Sequence, residues 1–152
     1  MNILTFDIED WFHILEHERM SDNRNWDDLE YRLEANSDRI LNLLDETNYK
    51  ATFFCLGWVA EKFPNIIKKI DSCNFNIGSH SYLHKIVSSQ NQIEFREDLK
   101  RSINTLQEIT GKKVTSYRAP GFSITSSTKW AFEELISQGI KQDASIFAKK
   151  RA

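Results

Sequence analysis

The hydrophobic positions of this chain fall into short apolar blocks separated by longer stretches of helical periodicity. Asn2 to Asp7 is an apolar run, Ile3-Leu4-Thr5-Phe6, that ends abruptly in acid, the pattern of a short buried strand. Trp11 to Asn36 follows as an irregular insertion rich in charge and aromatic residues. Asn36 or Ser37 suits an N-cap, so a helix is predicted to about Glu46, burying Ile40, Leu43 and Leu44. Lys50 to Leu56 reads as a second strand. A helix from about Trp58 is interrupted near Pro64, which opens a second helical piece striped by Ile66, Ile67 and Ile70. Asn74 to Gly78 is a third, short strand. From Asn91 to Ile109 the residues Ile93, Leu99, Ile103, Leu106 and Ile109 recur near one helical face, and Gly111 stops the helix. Val114 to Arg118 is a fourth strand, followed by a loop through Phe122, a helix from about Ser126 to Ser137 ended by Gly139, and a fifth strand from Ile140 to Ala144. Strand and helix alternate throughout, which predicts an α/β protein with about five parallel strands. The pattern fits a doubly wound sheet and an arc of a β/α barrel equally well.

Length and composition narrow this little. The 152 residues fit one domain, 1–152, large enough to bury a sizeable core. A net charge of −2 gives no general attraction to nucleic acid or to an anionic membrane. No apolar run has the length of a spanning helix, and the N-terminus lacks the basic region of a signal peptide, so no membrane insertion and a cytoplasmic location are expected. Cys55 and Cys73 lie within or beside predicted strands and read as buried free thiols. Oligomeric state is not legible.

The chemistry gathers at strand ends. Asp7, Glu9 and Asp10 follow the first strand, His80 and His84 the third, Arg118 the fourth, and Asp143 lies on the fifth. In a parallel sheet these positions share one edge, where such folds carry their sites. The two histidines are four apart, which places both imidazoles on one face if the segment makes a helical turn. A carboxylate and two imidazoles are three protein ligands with an open position, the usual form of a catalytic metal site, and imidazole favours zinc. A second carboxylate beside them suits a general base, and an arginine would hold it ionised and oriented. A phosphoacceptor receiver domain would need an aspartate on a later central strand, where histidines stand instead.

These residues carry a resemblance. Leu4-Thr5-Phe6-Asp7-Ile8-Glu9-Asp10, Ala51-Thr52-Phe53-Phe54, Ile77-Gly78-Ser79-His80-Ser81-Tyr82-Leu83-His84, Tyr117-Arg118-Ala119-Pro120-Gly121-Phe122 and Asp143-Ala144-Ser145 occur in the order of the motifs of the polysaccharide deacetylases. The chain thus resembles carbohydrate esterase family 4, or the NodB homology domain. Its first motif is closest in look to the exopolysaccharide-associated and allantoinase-like branch. The resemblance implies a partial β/α barrel and a metal-dependent hydrolase that removes N-acetyl groups from a glycan by attack of a metal-bound water. A divalent metal, by preference zinc, is the implied cofactor, and a glycan the implied partner.

By the same resemblance Asp7 stands at the general base and His80 and His84 at two metal ligands. Arg118 would position Asp7, and Asp143 would belong to the network supporting the catalytic acid. The first motif departs from the common Asp-Asp form. Residues two apart in an extended segment point the same way, so Glu9 is placed ahead of Asp10 as the carboxylate ligand. Trp11, Phe12, Trp58, Tyr82 and Phe122, with Pro120, are candidates to contact a sugar ring. The family's Leu-x-His motif, which supplies the acid, does not occur after Asp143. The domain is therefore expected to lack its C-terminal part. His13 and His17 are the remaining histidines, and neither is assigned the acid's role. Two other readings stay open: a hydrolase of small cyclic amides, and a non-catalytic domain that binds metal or glycan.

Overall fold

The structure, a computed structural model, describes residues 3–15 and 23–146. His17 lies outside the described residues. Five strands, β1 (Thr5–Ile8), β2 (Thr52–Cys55), β3 (Asn76–Ser79), β4 (Ser116–Tyr117) and β5 (Gln142–Asp143), form one sheet. All four pairings are parallel and the strands lie side by side in chain order. That order decides between the two architectures. A doubly wound sheet reverses direction at a switch point. Here every crossover steps one strand the same way, and right-handed crossovers then place all the helices on one face. The sheet is an arc of β/α-barrel type.

The helices are α1 (Leu33–Thr47), α2 (Gly57–Lys62), α3 (Pro64–Ser72), α4 (Gln92–Thr110) and α5 (Trp130–Ser137). Ile66, Ile67 and Ile70 of α3 and Phe95, Leu99 and Leu106 of α4 are fully buried against the sheet. The period of two along the strands sorts their side chains onto two faces. Phe6, Phe53 and Ile77 are register partners and pack toward the helices, with the Phe6 and Phe53 rings stacked at 5.2 Å. The neighbouring row, Asp7, Phe54 and Gly78, therefore faces the inside of the arc. Gly78 leaves room there for Phe54, whose ring would lie 2.7 Å from any added Cβ.

Two helix starts differ from the sequence expectation. Helix α1 begins at Leu33, ahead of Asn36 and Ser37, because Asp10 caps it from outside: its Oδ2 accepts the amides of Arg32 and Leu33 at 2.8 and 3.1 Å. Helix α5 begins at Trp130 because residues 125–128 form a turn closed by the Thr125 amide donating to Thr128 Oγ1. Helix α4 matches its signals, with a complete capping box at Asn91 and Glu94 and Gly111 at φ 67° after its last turn. Cys55 is buried as expected, but Cys73 is exposed, because it sits in the turn after α3 and not on a strand.

The described part of the insertion packs over α2. His13, Phe12, Trp26 and Trp58 meet ring to ring at centroid distances between 4.4 and 6.1 Å. Phe12 and Trp26 are core residues of this layer, so Phe12 is removed from the sugar-contact candidates, and Trp58 packs edge-on against both. Among the described residues no helix is long and apolar enough to cross a membrane.

Candidate metal centre

Asp7 is the penultimate residue of β1, in its inward row, and Glu9 follows directly after the strand. His80 follows β3 directly, and the chain then makes a tight loop to His84. This loop is not a helical turn. Ser81 and His84 are left-handed, at φ 67° and 56°, and the His84 amide donates to Ser81 Oγ at 3.0 Å. The loop nonetheless achieves what a helical turn would, with the two imidazole centroids 5.1 Å apart.

One donor atom each from Glu9, His80 and His84 lies within 4.8 Å of the other two. Glu9 Oε2 is 2.7 Å from His84 Nε2 and 3.9 Å from His80 Nε2. It is buried and accepts no aligned hydrogen bond. His80 Nδ1 lies 2.8 Å from the Arg118 carbonyl oxygen, which only accepts, so Nδ1 carries the proton and Nε2 presents its lone pair to Glu9. A lone-pair nitrogen converging with a buried carboxylate oxygen and a second imidazole is a donor set that a cation fits. One carboxylate and two imidazoles suit zinc and its neighbours. Burial also pushes the His80 pKa down, which keeps the ring neutral and able to ligate. Burial alone would raise the Glu9 carboxyl, but the adjacent His84, by hydrogen bond and charge, outweighs it and holds it below its usual range.

Arg118 reaches across the inner face from β4. Its Nη1 donates to Asp7 Oδ1 at 2.8 Å and its Nη2 to Thr5 Oγ1 at 2.9 Å. The guanidinium lies over the Phe54 ring at 4.3 Å, which aims it along the sheet. Asp7 Oδ2 is left 3.9 Å from His80 Nε2. Asp7, Glu9, His80 and His84 line one open pocket of about 470 Å³, together with Trp11 and Phe122.

The remaining candidates are placed elsewhere. Asp10 borders the pocket, but its carboxylate is committed to the N-terminus of α1 and does not join the three donors. Tyr82 is 4% exposed and turned away, its hydroxyl donating to Glu61 Oε2 at 2.6 Å and its ring under Arg101, so the structure removes it from sugar contact. Pro120 is buried in the loop after β4. Asp143 does not line the pocket; it accepts from Ser145 Oγ at 2.6 Å, and that oxygen accepts from the Ala119 amide at 2.7 Å. Its reach is to the backbone beside Arg118. Trp11 is 43% exposed at the rim, with its Nε1 donating to the Glu30 carbonyl.

Sequence reasoning missed four residues that build the site: Thr5, Phe54, Ser145 and Asp98, whose carboxylate accepts the amides of Tyr82 and Leu83 at 2.8 and 3.0 Å. The first two have a sequence signal, being spaced two and register-matched with Asp7. Ser145 lies in the Asp143-Ala144-Ser145 motif, where only Asp143 was given a role, and Asp98 has no signal.

A family model described as polysaccharide deacetylase matches residues 19–139. A peptidoglycan-N-acetylglucosamine deacetylase of Bacillus cereus is 38% identical over 97 residues, which are 63% of this chain and 35% of that protein. Among solved structures, a candidate polysaccharide deacetylase from Mycobacterium smegmatis superposes with a TM-score of 0.79 at 24% identity, over 95% of this chain and 50% of that one. A family 4 carbohydrate-esterase pseudoenzyme from Bacillus anthracis superposes with a TM-score of 0.71 at 20% identity, over 93% and 41%. The chain spans little more than a third of the length of the curated relatives it matches. A match over most of its residues, on a fold those structures share, settles its descent: the chain belongs to the polysaccharide deacetylase family.

Proposed function

We propose that this chain carries the metal-binding and base half of a hydrolase that cleaves the N-acetyl amide of a glycan. The observation that carries the reading is the convergence of one carboxylate oxygen of Glu9 and one imidazole nitrogen each of His80 and His84 within 4.8 Å of one another, beside an arginine-held aspartate. Glu9, His80 and His84 would hold the divalent ion, which supplies Lewis acidity to the attacking water and to the amide carbonyl. Asp7 is the base. Arg118 occupies and orients its Oδ1, leaving Oδ2 to take the proton as the water oxygen bonds to the carbonyl carbon. The C–N bond then breaks, and the amine leaves with a proton that Asp7 can return. The pocket is open, as a polymer needs, and the aromatic residues Trp11 and Phe122 line it. Peptidoglycan is the substrate named for the Bacillus cereus relative, and N-acetylglucosamine units are the proposed substrate class here.

One observation favours a second reading, a domain that binds metal or glycan without turnover. Of the imidazoles lining the pocket, His80 and His84 serve as ligands. Burial pushes the third, His13, down to about 3, so it carries no proton to give an amine near neutrality. Acetate release from N-acetylated chito-oligosaccharides, measured with zinc and with a chelator, separates the two. Metal-dependent release that is lost in His80→Ala supports the hydrolase. Zinc binding with no release supports the binder, and ring opening of a small cyclic amide without acetate release would redirect the substrate.

A further inference from the structure

We propose that Asp98 is a positioning residue for the metal centre: from α4 its carboxylate holds the backbone between His80 and His84 in the turn that aims both imidazoles at Glu9. The inference rests on the metal reading above and concerns what makes that centre rigid.

The turn does not sustain itself. Ser81 and His84 both occupy left-handed backbone space without being glycine, a conformation that side chains with a Cβ resist. The amides of Tyr82 and Leu83, between the ligands, point into the protein and find no carbonyl partner. Asp98 meets them with one oxygen each, Oδ1 on Tyr82 and Oδ2 on Leu83. On the other side the amides of Gly57 and Trp58, at the start of α2, donate to the carbonyls of Ser81 and Tyr82 at 2.9 and 3.1 Å. Gly57 fits only as glycine, since an added Cβ would meet the Tyr82 ring and the Ser102 backbone. Donors from α2 and acceptors from α4 thus grip the loop from two sides.

The carboxylate is not there for the packing of α4. Burial raises its pKa, and the two amide bonds, Lys85 and Arg101 do not bring it back to the usual carboxylate range. An apolar side chain would cost less at this half-buried helix position. What an apolar side chain cannot do is satisfy two amides whose directions set the loop.

The test is zinc affinity by competition with a chromophoric chelator, with the visible spectrum of the cobalt-loaded protein as a second readout. Asp98→Asn is nearly isosteric and keeps one acceptor, while its amide group opposes the other N–H. It is expected to weaken zinc binding about 10-fold, and Asp98→Ala by up to about 100-fold, the range for partners that orient metal ligands. At saturating cobalt the Asp98→Ala spectrum should shift, because the imidazoles no longer meet the ion at the same angles. Ile103→Val, a core trim on the same helix, should lower the urea midpoint yet leave affinity within about twofold. Should Asp98→Ala fail to fold, Asp98→Asn carries the comparison. Affinity within about twofold of wild type in the Asp98 variants, with an unchanged cobalt spectrum, overturns the assignment. So does a loss no larger than that of Ile103→Val. A wild-type protein that binds no zinc at all overturns the metal reading itself, and this inference with it.

Discussion

At the scale of single residues, the site depends on side chains whose hydrogen-bonding capacity is divided between two tasks. Arg118 gives one nitrogen to Asp7 and one to Thr5, and its carbonyl sets the tautomer of His80. Arg118→Lys keeps the charge but not the fork, so acetate release should fall by about 10- to 100-fold, chiefly in kcat. A variant that loses only substrate affinity would contradict the role. His13 is legible in the sequence only as a spare histidine, and its packing explains why. It accepts the Asp10 amide at Nδ1 and sits among Phe12, Trp26 and Trp58. Burial, which holds its pKa at about 3 against an ordinary 6.5, makes it neutral in the folded protein. The unfolded chain takes up a proton below pH 6.5 that the folded chain refuses. The contribution of neutral His13 is therefore full above pH 6.5 and lost as pH falls toward 3, by about 2 kcal/mol at pH 5. Asp98, raised by burial, acts with the opposite sign over the carboxylate range, so the comparison must isolate His13. Urea midpoints of the metal-free protein should fall between pH 7.5 and pH 5 more steeply than those of His13→Gln. Parallel curves would show that His13 does not carry the slope. Asp7, His80, His84 and Arg118 are legible because residue type and strand-end position coincide. Asp98 is not, because its partners are the backbone amides of Tyr82 and Leu83 on a distant segment, and no spacing announces such a pairing.

At the scale of elements, the boundaries that the sequence places well are those with local caps. Asn91 with Glu94 starts α4 and Gly111 ends it, and all three lie within the helix's own neighbourhood. Helix α1 shows the other case. Its cap is Asp10, 22 residues before Arg32 along the chain, and Ser37, the local candidate, is buried within the helix with an unpaired hydroxyl. Asp10→Ala should therefore cost about 1–2 kcal/mol in urea unfolding, by leaving two amides at the helix start without an acceptor. Because Asp10 adjoins Glu9, the same substitution should also loosen zinc binding. Retained stability with weakened zinc affinity would mean that water replaces the cap. Gly78→Ala is expected to destabilise as well, since its Cβ would press on the Phe54 ring beneath Arg118.

At the scale of the whole molecule, the alternation of strand and helix was legible but the winding was not, because the period of the elements is the same in both architectures. Strand order settles it, and with it the way the site spans the sheet. Glu9 comes from β1 and His80 and His84 from β3, with β2 between them. An ion at this point ties together the ends of two strands, β1 and β3, that the unfolded chain holds apart. Zinc at 100 times its dissociation constant should stabilise the protein by about 2.7 kcal/mol, read as a rise in the urea midpoint that a chelator reverses. Absence of that rise in a protein that binds zinc would mean that the unfolded chain binds it too.

The chain-order sheet has a further consequence, for synthesis. Each strand pairs with the one made just before it, so no strand waits on the ribosome for a later neighbour. Glu9, His80 and His84 have all been made when residue 84 is added, and Arg118 follows 34 residues later. The proposed ligands are thus made before Asp98, which braces their turn, and before Arg118, whose carbonyl orients His80 and whose guanidinium meets Asp7. The last of these residues to be made, Arg118, touches both halves of the candidate site.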